Sequence, residues 1–142
     1  MSKSYLNKVL VKSPAKINLH LEIIGKRMDG YHELAMIMQN IDLSDFIDLK
    51  INQNGKIKLT SDSKSLSLND DNLILKAANI LKKISNNKFG ADIFLRKNIP
   101  IGAGLAGGSS NAAATLIGLN KIWNLNLDSK NLISIASELG SD

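Results

Sequence analysis

A glycine-rich segment at residues 100–110 constrains the fold of this chain more than any other feature. Its residues are Pro100, Ile101, Gly102, Ala103, Gly104, Leu105, Ala106, Gly107, Gly108, Ser109 and Ser110, and an alanine-rich pattern of helical spacing follows. Glycine has no Cβ and tolerates positive φ, so a glycine-rich backbone can approach a ligand closely. A helix N-terminus offers unpaired N–H groups and the positive end of the helix dipole. The segment therefore predicts a loop that holds a phosphate group.

Five runs before residue 61 predict strands, at 6–11, 17–23, 33–41, 46–51 and 56–60. In the second run the apolar residues recur at every other position, which turns Lys16 and Asn18 to the opposite face of the strand. The pair Asn54-Gly55 between the last two runs is typical of a hairpin turn.

After residue 61 the pattern changes to helices around one strand. Helices are predicted over 73–84, 109–123 and 129–139, and a strand over 91–95 leads into the glycine-rich segment. Asn69, Asp70 or Asp71 can cap the first helix, and Asp128 can cap the last. Strands followed by helices, without regular alternation, indicate an α+β fold.

Length and composition limit the class of protein. A chain of 142 residues forms one domain or a piece of a larger one. It has no cysteine, which fits a reducing cytoplasm, and no apolar run near the ~20 residues that span a bilayer. We therefore expect a cytoplasmic protein without a membrane partner. The few aromatic residues do not favour a nucleic-acid partner, whereas a net charge of +5 suits an anionic small-molecule substrate.

Other loop types compete for the glycine-rich segment. Gly102 to Gly107 matches the dinucleotide fingerprint G-x-G-x-x-G, but a polar stretch separates it from the preceding strand. The segment also nearly matches the P-loop, except that Gly108 stands where that motif has its lysine. The counter-charge for a phosphate must then come from Lys97, Lys16 or a bound Mg²⁺. The remaining alternative is a tight turn without a ligand.

Residues 100–114 resemble the second motif of the GHMP superfamily, which comprises galactokinase, homoserine kinase, mevalonate kinase and phosphomevalonate kinase. Residues 13–19, 27–34 and 139–142 are similar, in the same order, to motifs of one branch of that superfamily. The resemblance implies the N-terminal lobe of the GHMP kinase fold, which is ribosomal protein S5 domain 2-like. It also implies ATP-dependent phosphorylation of the 2-hydroxyl of a cytidine diphosphate derivative of methylerythritol, in the non-mevalonate route to isoprenoid precursors.

By resemblance, Lys16 and Asp142 are the catalytic pair. Phosphoryl transfer needs an alcohol in line with the γ-phosphorus and stabilisation of the charge on the transferring oxygens. An aspartate can accept the hydroxyl proton, while a nearby lysine keeps that carboxylate ionised and faces the phosphoryl group. We expect Asn18, on the same strand face as Lys16, to position the acceptor end of the substrate; the alternative is an ordinary polar residue at a sheet edge.

The resemblance also implies residues that contact the cytidine of the acceptor and residues that contact ATP. Tyr31 and His32 look like a cytidine site, with an aromatic face for the ring and an imidazole for the edge of the base. Lys97 stands where the family has a lysine that contacts the nucleotide, and Asp71 with Asn72 resembles a run beside the adenine pocket. A surface charge and a helix cap are the alternatives for these three residues.

Three residues of the segment carry further expectations. Ser109 and Ser110 can offer hydroxyl and N–H groups to phosphate or Mg²⁺, and we expect Mg²⁺ to be held mainly by ATP, with few protein ligands. Ala106 departs from the superfamily pattern, in which glycine is common. If the position requires positive φ, alanine costs on the order of 1 kcal/mol there.

The sequence ends at Asp142, whereas members of the superfamily continue into a second lobe. We therefore expect residues 1–142 to form an incomplete GHMP N-terminal domain, truncated before the C-terminal domain. We expect little or no kinase activity from the chain alone, and a homodimer or other self-association through exposed apolar surface. The alternatives are another superfamily kinase, acting on mevalonate, homoserine or a sugar, and a non-catalytic nucleotide- or RNA-binding module.

Overall fold

The computed structural model describes residues 6–140, which form a four-stranded sheet and three helices. In chain order the elements are β1 (Lys8–Lys26), β2 (His32–Asn52), β3 (Ile57–Ser61), α1 (Leu73–Ile84), β4 (Gly90–Arg96), α2 (Gly107–Ile122) and α3 (Ser129–Leu139). The strands lie in the order β1-β2-β4-β3. The predicted α+β class is confirmed.

The first four predicted strands are parts of two long strands. β1 and β2 form an antiparallel hairpin along nearly their full length. Register shifts after Asn18 and after Ile23 interrupt the ladder, because each inserts an extra residue into β1. The simple alternation predicted for this run therefore ends at Asn18. Beyond that point Leu21 and Ile23 are 51% and 61% exposed.

The predicted hairpin between β2 and β3 is wrong. β4 lies between these strands, antiparallel to β2 and parallel to β3. Ala91, Ile93 and Leu95 of β4 are at most 1% exposed, so the more apolar strand takes an interior place and the short, polar β3 takes the edge. The pair Asn54-Gly55 still makes a turn, with Gly55 at a φ of 71°.

The hydrophobic core lies between the sheet and the helices. Its largest buried side chains include Trp123, Ile47, Leu49, Ile74, Leu81, Ile93, Leu95, Leu116 and Leu119. α2 packs closely on the sheet at Gly118, where a Cβ would stand 2.1 Å from a methyl carbon of Leu49. Close packing at this point fixes α2, and with it the N-terminus of that helix, against β1 and β2.

Capping side chains define where the helices begin. Asn72 caps α1, accepting a hydrogen bond from the N–H of Ile74 at 2.9 Å. The predicted cap residues Asn69, Asp70 and Asp71 all precede Asn72, so that prediction is wrong by one to three residues. Asp128 caps α3 as predicted, with the N–H of Asn131 donating at 2.8 Å. Within residues 6–140, no helix is long and apolar enough to cross a membrane.

Candidate phosphate-binding site

Positive φ alternates along the glycine-rich segment. Gly102, Gly104 and Ala106 have φ angles of 70°, 73° and 57°, and Ala103 and Leu105 between them are not in the left-handed region. Such alternation turns successive N–H groups toward one side and makes a concavity that binds anions. The backbone therefore has the geometry expected of a phosphate-binding loop.

The N-terminus of α2 adds further donors to this concavity. α2 begins at Gly107, and its N-cap residue Ala106 makes no side-chain hydrogen bond to the helix. Alanine has no acceptor to satisfy the first N–H groups of a helix, so these groups are left for a ligand or for solvent. The positive end of the helix dipole lies at the same place and favours a negative charge.

A cavity of about 700 Å³ opens beside the loop. One side of it consists of loop residues 100–109, and the other side includes Leu66, Leu73, Ile74, Asn69, Asp71, Asn72 and Lys97. All residues predicted to bind ATP line this cavity, with the exception of Ser110. A cavity lined by apolar side chains, a few polar ones and a glycine-rich backbone suits a ligand that combines a ring with an anionic group.

Ser110 belongs instead to a buried polar cluster that joins β1 to α2. The Oγ of Ser13 donates to Asn111 Oδ1, at 2.8 Å, and lies within hydrogen-bond distance of Ser110 Oγ, at 2.9 Å. Ser13 and Asn111 are 0% and 3% exposed. The cluster connects the first predicted motif with the first turn of the helix that follows the loop.

Two residues of the cavity are engaged within the protein. Asn72 accepts from Ile74 and donates through Nδ2 to the carbonyl of Ser67 at 2.9 Å, so the helix-cap alternative for this residue is observed. The ammonium of Lys97 lies 2.8 Å from a carboxylate oxygen of Asp45, and its side chain is 7% exposed. A nucleotide contact by either side chain stays a prediction.

Lys16 lies next to the loop because its own backbone is bonded to it. The N–H of Lys16 donates to the carbonyl of Leu105 at 3.0 Å. Its side chain is half-buried, and the ammonium lies 3.3 Å from Oδ1 of Asn18. The predicted strand face that carries both residues is thus present. Asp142 lies outside the described residues, so its pairing with Lys16 stays a prediction.

Tyr31 and His32 lie at the far end of the β1–β2 hairpin and do not line the cavity. The turn before them is held by Asp29, whose carboxylate is 2.8 Å from Arg27 and accepts from the N–H of Tyr31 at 3.1 Å. Tyr31 is 74% exposed. This arrangement presents an aromatic face to solvent on an ordered turn, which is compatible with stacking on a base.

Within residues 6–140, no three acidic, histidine or cysteine side chains are grouped so that they could hold a metal ion. The oxygen-bearing side chains that line the cavity beside the loop include the hydroxyl of Ser109 and the carboxylate of Asp71. Mg²⁺ commonly keeps several waters and binds through substrate phosphates with one or two protein ligands. The residues present fit that mode of binding and do not fit a metal cage built by the protein alone.

Sequence reasoning missed Asp45, Ser13 and Asn111 as parts of this site. Asp45 could have been singled out from the sequence, because it lies two and four residues before Ile47 and Leu49 on the same strand. All three side chains therefore point to the same face of the sheet, which is buried. A carboxylate at a core-facing position needs partners, and that need points to a structural or functional role. Ser13 and Asn111 carried no comparable signal, since their contact joins residues 98 apart in the chain.

A model of the "GHMP kinases N terminal domain" matches residues 72–142. Among curated proteins, 4-diphosphocytidyl-2-C-methyl-D-erythritol kinase of Prochlorococcus marinus strain MIT 9301 is 73% identical over 135 residues, covering 95% of this chain and 43% of the relative. The corresponding protein of P. marinus subsp. pastoris, strain MED4, is 70% identical over 143 residues, covering 100% of this chain and 46% of the relative. The chain thus spans less than half the length of these relatives.

Comparison with solved structures also finds kinases, here by similarity of the fold. A crystal structure of 4-(cytidine 5'-diphospho)-2C-methyl-D-erythritol kinase matches with a TM-score of 0.78 and 33% identity, over 94% of this chain and 47% of that one. Homoserine kinase from Cytophaga hutchinsonii matches with a TM-score of 0.75 over 98% of this chain and 42% of that one. Its identity is 18%, so this second match concerns the fold alone.

Proposed function

The chain belongs to the GHMP kinase family, and from that premise we propose that it forms the ATP-binding part of a kinase for 4-diphosphocytidyl-2-C-methyl-D-erythritol. The observation that carries the proposal is the loop of alternating positive φ at the N-terminus of α2, with Lys16 bonded to it. The phosphoryl acceptor in this proposal is the one named in the names of the relatives. Neither the loop nor the relatives favour an RNA-binding module.

In this proposal the loop holds the phosphates of ATP through backbone N–H groups. Such donors are already oriented and cost no rearrangement when the anion binds. Leu66 and Leu73, both half-buried, offer an apolar surface for the adenine ring in the same cavity. Mg²⁺, bound mainly through ATP, supplies charge neutralisation on the phosphate oxygens.

The acceptor hydroxyl is proposed to lie between Lys16 and the loop. Its oxygen forms a bond to the γ-phosphorus while the bond to the β,γ-bridging oxygen breaks, and ADP leaves. Asp142 accepts the hydroxyl proton. Lys16 holds that carboxylate ionised and stabilises the charge on the transferring oxygens, and Asn18 orients the acceptor.

Tyr31 and His32 are proposed to contact the cytosine of the acceptor. Tyr31 supplies a stacking surface, and His32 supplies a donor or acceptor for the edge of the base. These residues do not line the cavity. A nucleoside diphosphate acceptor carries a base that they can contact, whereas mevalonate and homoserine carry none.

Substitution of a loop glycine tests the proposal. Gly104 has a φ of 73° with open space around its Cα, so Gly104→Ala strains the backbone without a steric clash. Gly55→Ala is the matched control, because Gly55 has a φ of 71° and equally open surroundings. We expect each variant to lose about 1 kcal/mol of unfolding free energy, measured by chemical denaturation.

Only Gly104→Ala is expected to weaken ATP binding, by roughly tenfold, in calorimetric titration with Mg²⁺ present. Equal affinity of both variants for ATP, or no binding by the unsubstituted chain, would contradict the proposed ATP site. Titration with the cytidine diphosphate acceptor, mevalonate and homoserine then tests the acceptor. Preferential binding of mevalonate or homoserine would assign the chain to another branch of the family.

A further inference from the structure

A carboxylate that the proposed reaction does not use lies beneath the phosphate-binding loop. Asp45 is 0% exposed and belongs to β2, whose neighbouring core positions are the apolar Ile47 and Leu49. An ionised side chain in such a position is costly unless it is paired and fully hydrogen-bonded. Asp45 must therefore be paired and hydrogen-bonded within the protein.

Among residues 6–140, the partners of this carboxylate come from the short segment that joins β4 to the loop. The N–H groups of Asn98 and Ile99 donate to Oδ1 at 2.6 Å and 2.7 Å. The ammonium of Lys97 donates to Oδ2 at 2.8 Å. β4 ends at Arg96, so the three residues that follow lie outside the ladder of the sheet, and each of them donates to Asp45. Two further bonds support the segment: the N–H of Lys97 donates to Asp62 at 2.9 Å, and Nδ2 of Asn98 donates to the carbonyl of Ser44 at 2.8 Å.

The same segment is in contact with the first residue of α2. A Cβ on Gly107 would stand 3.2 Å from the ammonium nitrogen of Lys97 and 3.1 Å from a methyl carbon of Ile99. Lys97 also donates to the carbonyl of Ile99. Both ends of the loop, residues 97–99 before it and Gly107 after it, are thus packed around one buried ion pair.

We propose that Asp45 is a positioning residue, which orders the phosphate-binding loop by holding the segment before it through the N–H groups of Asn98 and Ile99 and the ammonium of Lys97. The effect of Asp45 on ATP binding rests on the proposed function. In this arrangement Lys97 acts as a structural cation, because its charge is already paired with Asp45. The attraction for phosphate then comes from the loop N–H groups.

Asp45→Asn tests this role with little change of volume. Asparagine can still accept hydrogen bonds from two N–H groups, but those bonds lose their charge assistance, and its amide opposes the ammonium of Lys97 as a second donor. The exposed Asp48→Asn on the same strand is the control. Lys97→Met removes the other half of the pair and serves as a second variant if Asp45→Asn does not fold.

The first readout needs no ligand. Amide hydrogen exchange of residues 98–107 is expected to become at least about tenfold faster in Asp45→Asn, with exchange in the core of α2 unchanged. Unchanged exchange in this segment, or a uniform increase over the whole chain, would overturn the positioning role. Because ATP is absent, this result is independent of whether the proposed function is correct.

The second readout is ATP affinity, measured at a temperature at which circular dichroism shows every variant folded. We expect about tenfold weaker binding for Asp45→Asn and for Lys97→Met, and no further loss in the double variant, because the two side chains act as one unit. Tighter binding by Asp45→Asn would show that Asp45 merely withholds Lys97 from ATP and would overturn the proposal. Absence of binding by the unsubstituted chain would instead contradict the proposed function.

Discussion

Ala106 has a strained backbone conformation and belongs to the loop that is proposed to bind phosphate. It occupies the N-cap of α2 with a φ of 57° and a ψ of 28°, in the left-handed region. A Cβ in that region lies too close to the following carbonyl oxygen, which costs roughly 1–2 kcal/mol. The sequence left open whether this position has positive φ; the structure has positive φ there, which is the condition under which alanine is unfavourable.

Ala106→Gly is expected to stabilise the chain by about 0.5–1 kcal/mol, because relief of strain exceeds the added freedom of glycine in the unfolded state. Ala103→Gly, in the same loop at a residue without positive φ, is the control and is expected to destabilise by a similar amount. Urea denaturation measures both. A loss of stability in Ala106→Gly would mean that the residue is not strained.

The elements of the site are joined by contacts between residues far apart in the sequence. Local signals predicted the helices, the cap at Asp128 and the loop, because a few neighbouring residues determine these features. The place of β4 between β2 and β3 was not predictable in this way, since strand order depends on which apolar surfaces meet in the folded chain. The cluster of Ser13 and Asn111 was missed for the same reason.

Ser13→Ala tests the connection between β1 and α2. The substitution leaves the buried Oδ1 of Asn111 without the hydroxyl that donates to it, which is expected to cost about 1–3 kcal/mol of unfolding free energy. Ser137→Ala is the control, because Ser137 is exposed and bonds only within its own helix, to Ser134. Thermal unfolding of the two variants checks the prediction; equal midpoints would contradict it.

At the scale of the whole molecule, the described residues divide into a packed region and a projecting hairpin. The sheet and α2 form the region that supports the loop, whereas the far half of the β1–β2 hairpin exposes apolar side chains such as Leu21, Ile37 and Met38. Self-association through this surface stays a prediction. In the proposed function the packed region binds ATP and the hairpin extends toward the second substrate.

The central claim is that the loop at residues 100–110 binds the phosphates of ATP beside Lys16. Hydrogen exchange of this chain with and without ATP and Mg²⁺ tests it most directly, because the loop N–H groups are the proposed donors. We predict slower exchange at Gly102 to Ser110 when ATP is added and no change when cytidine alone is added. Unchanged exchange in the loop at saturating ATP would contradict the account.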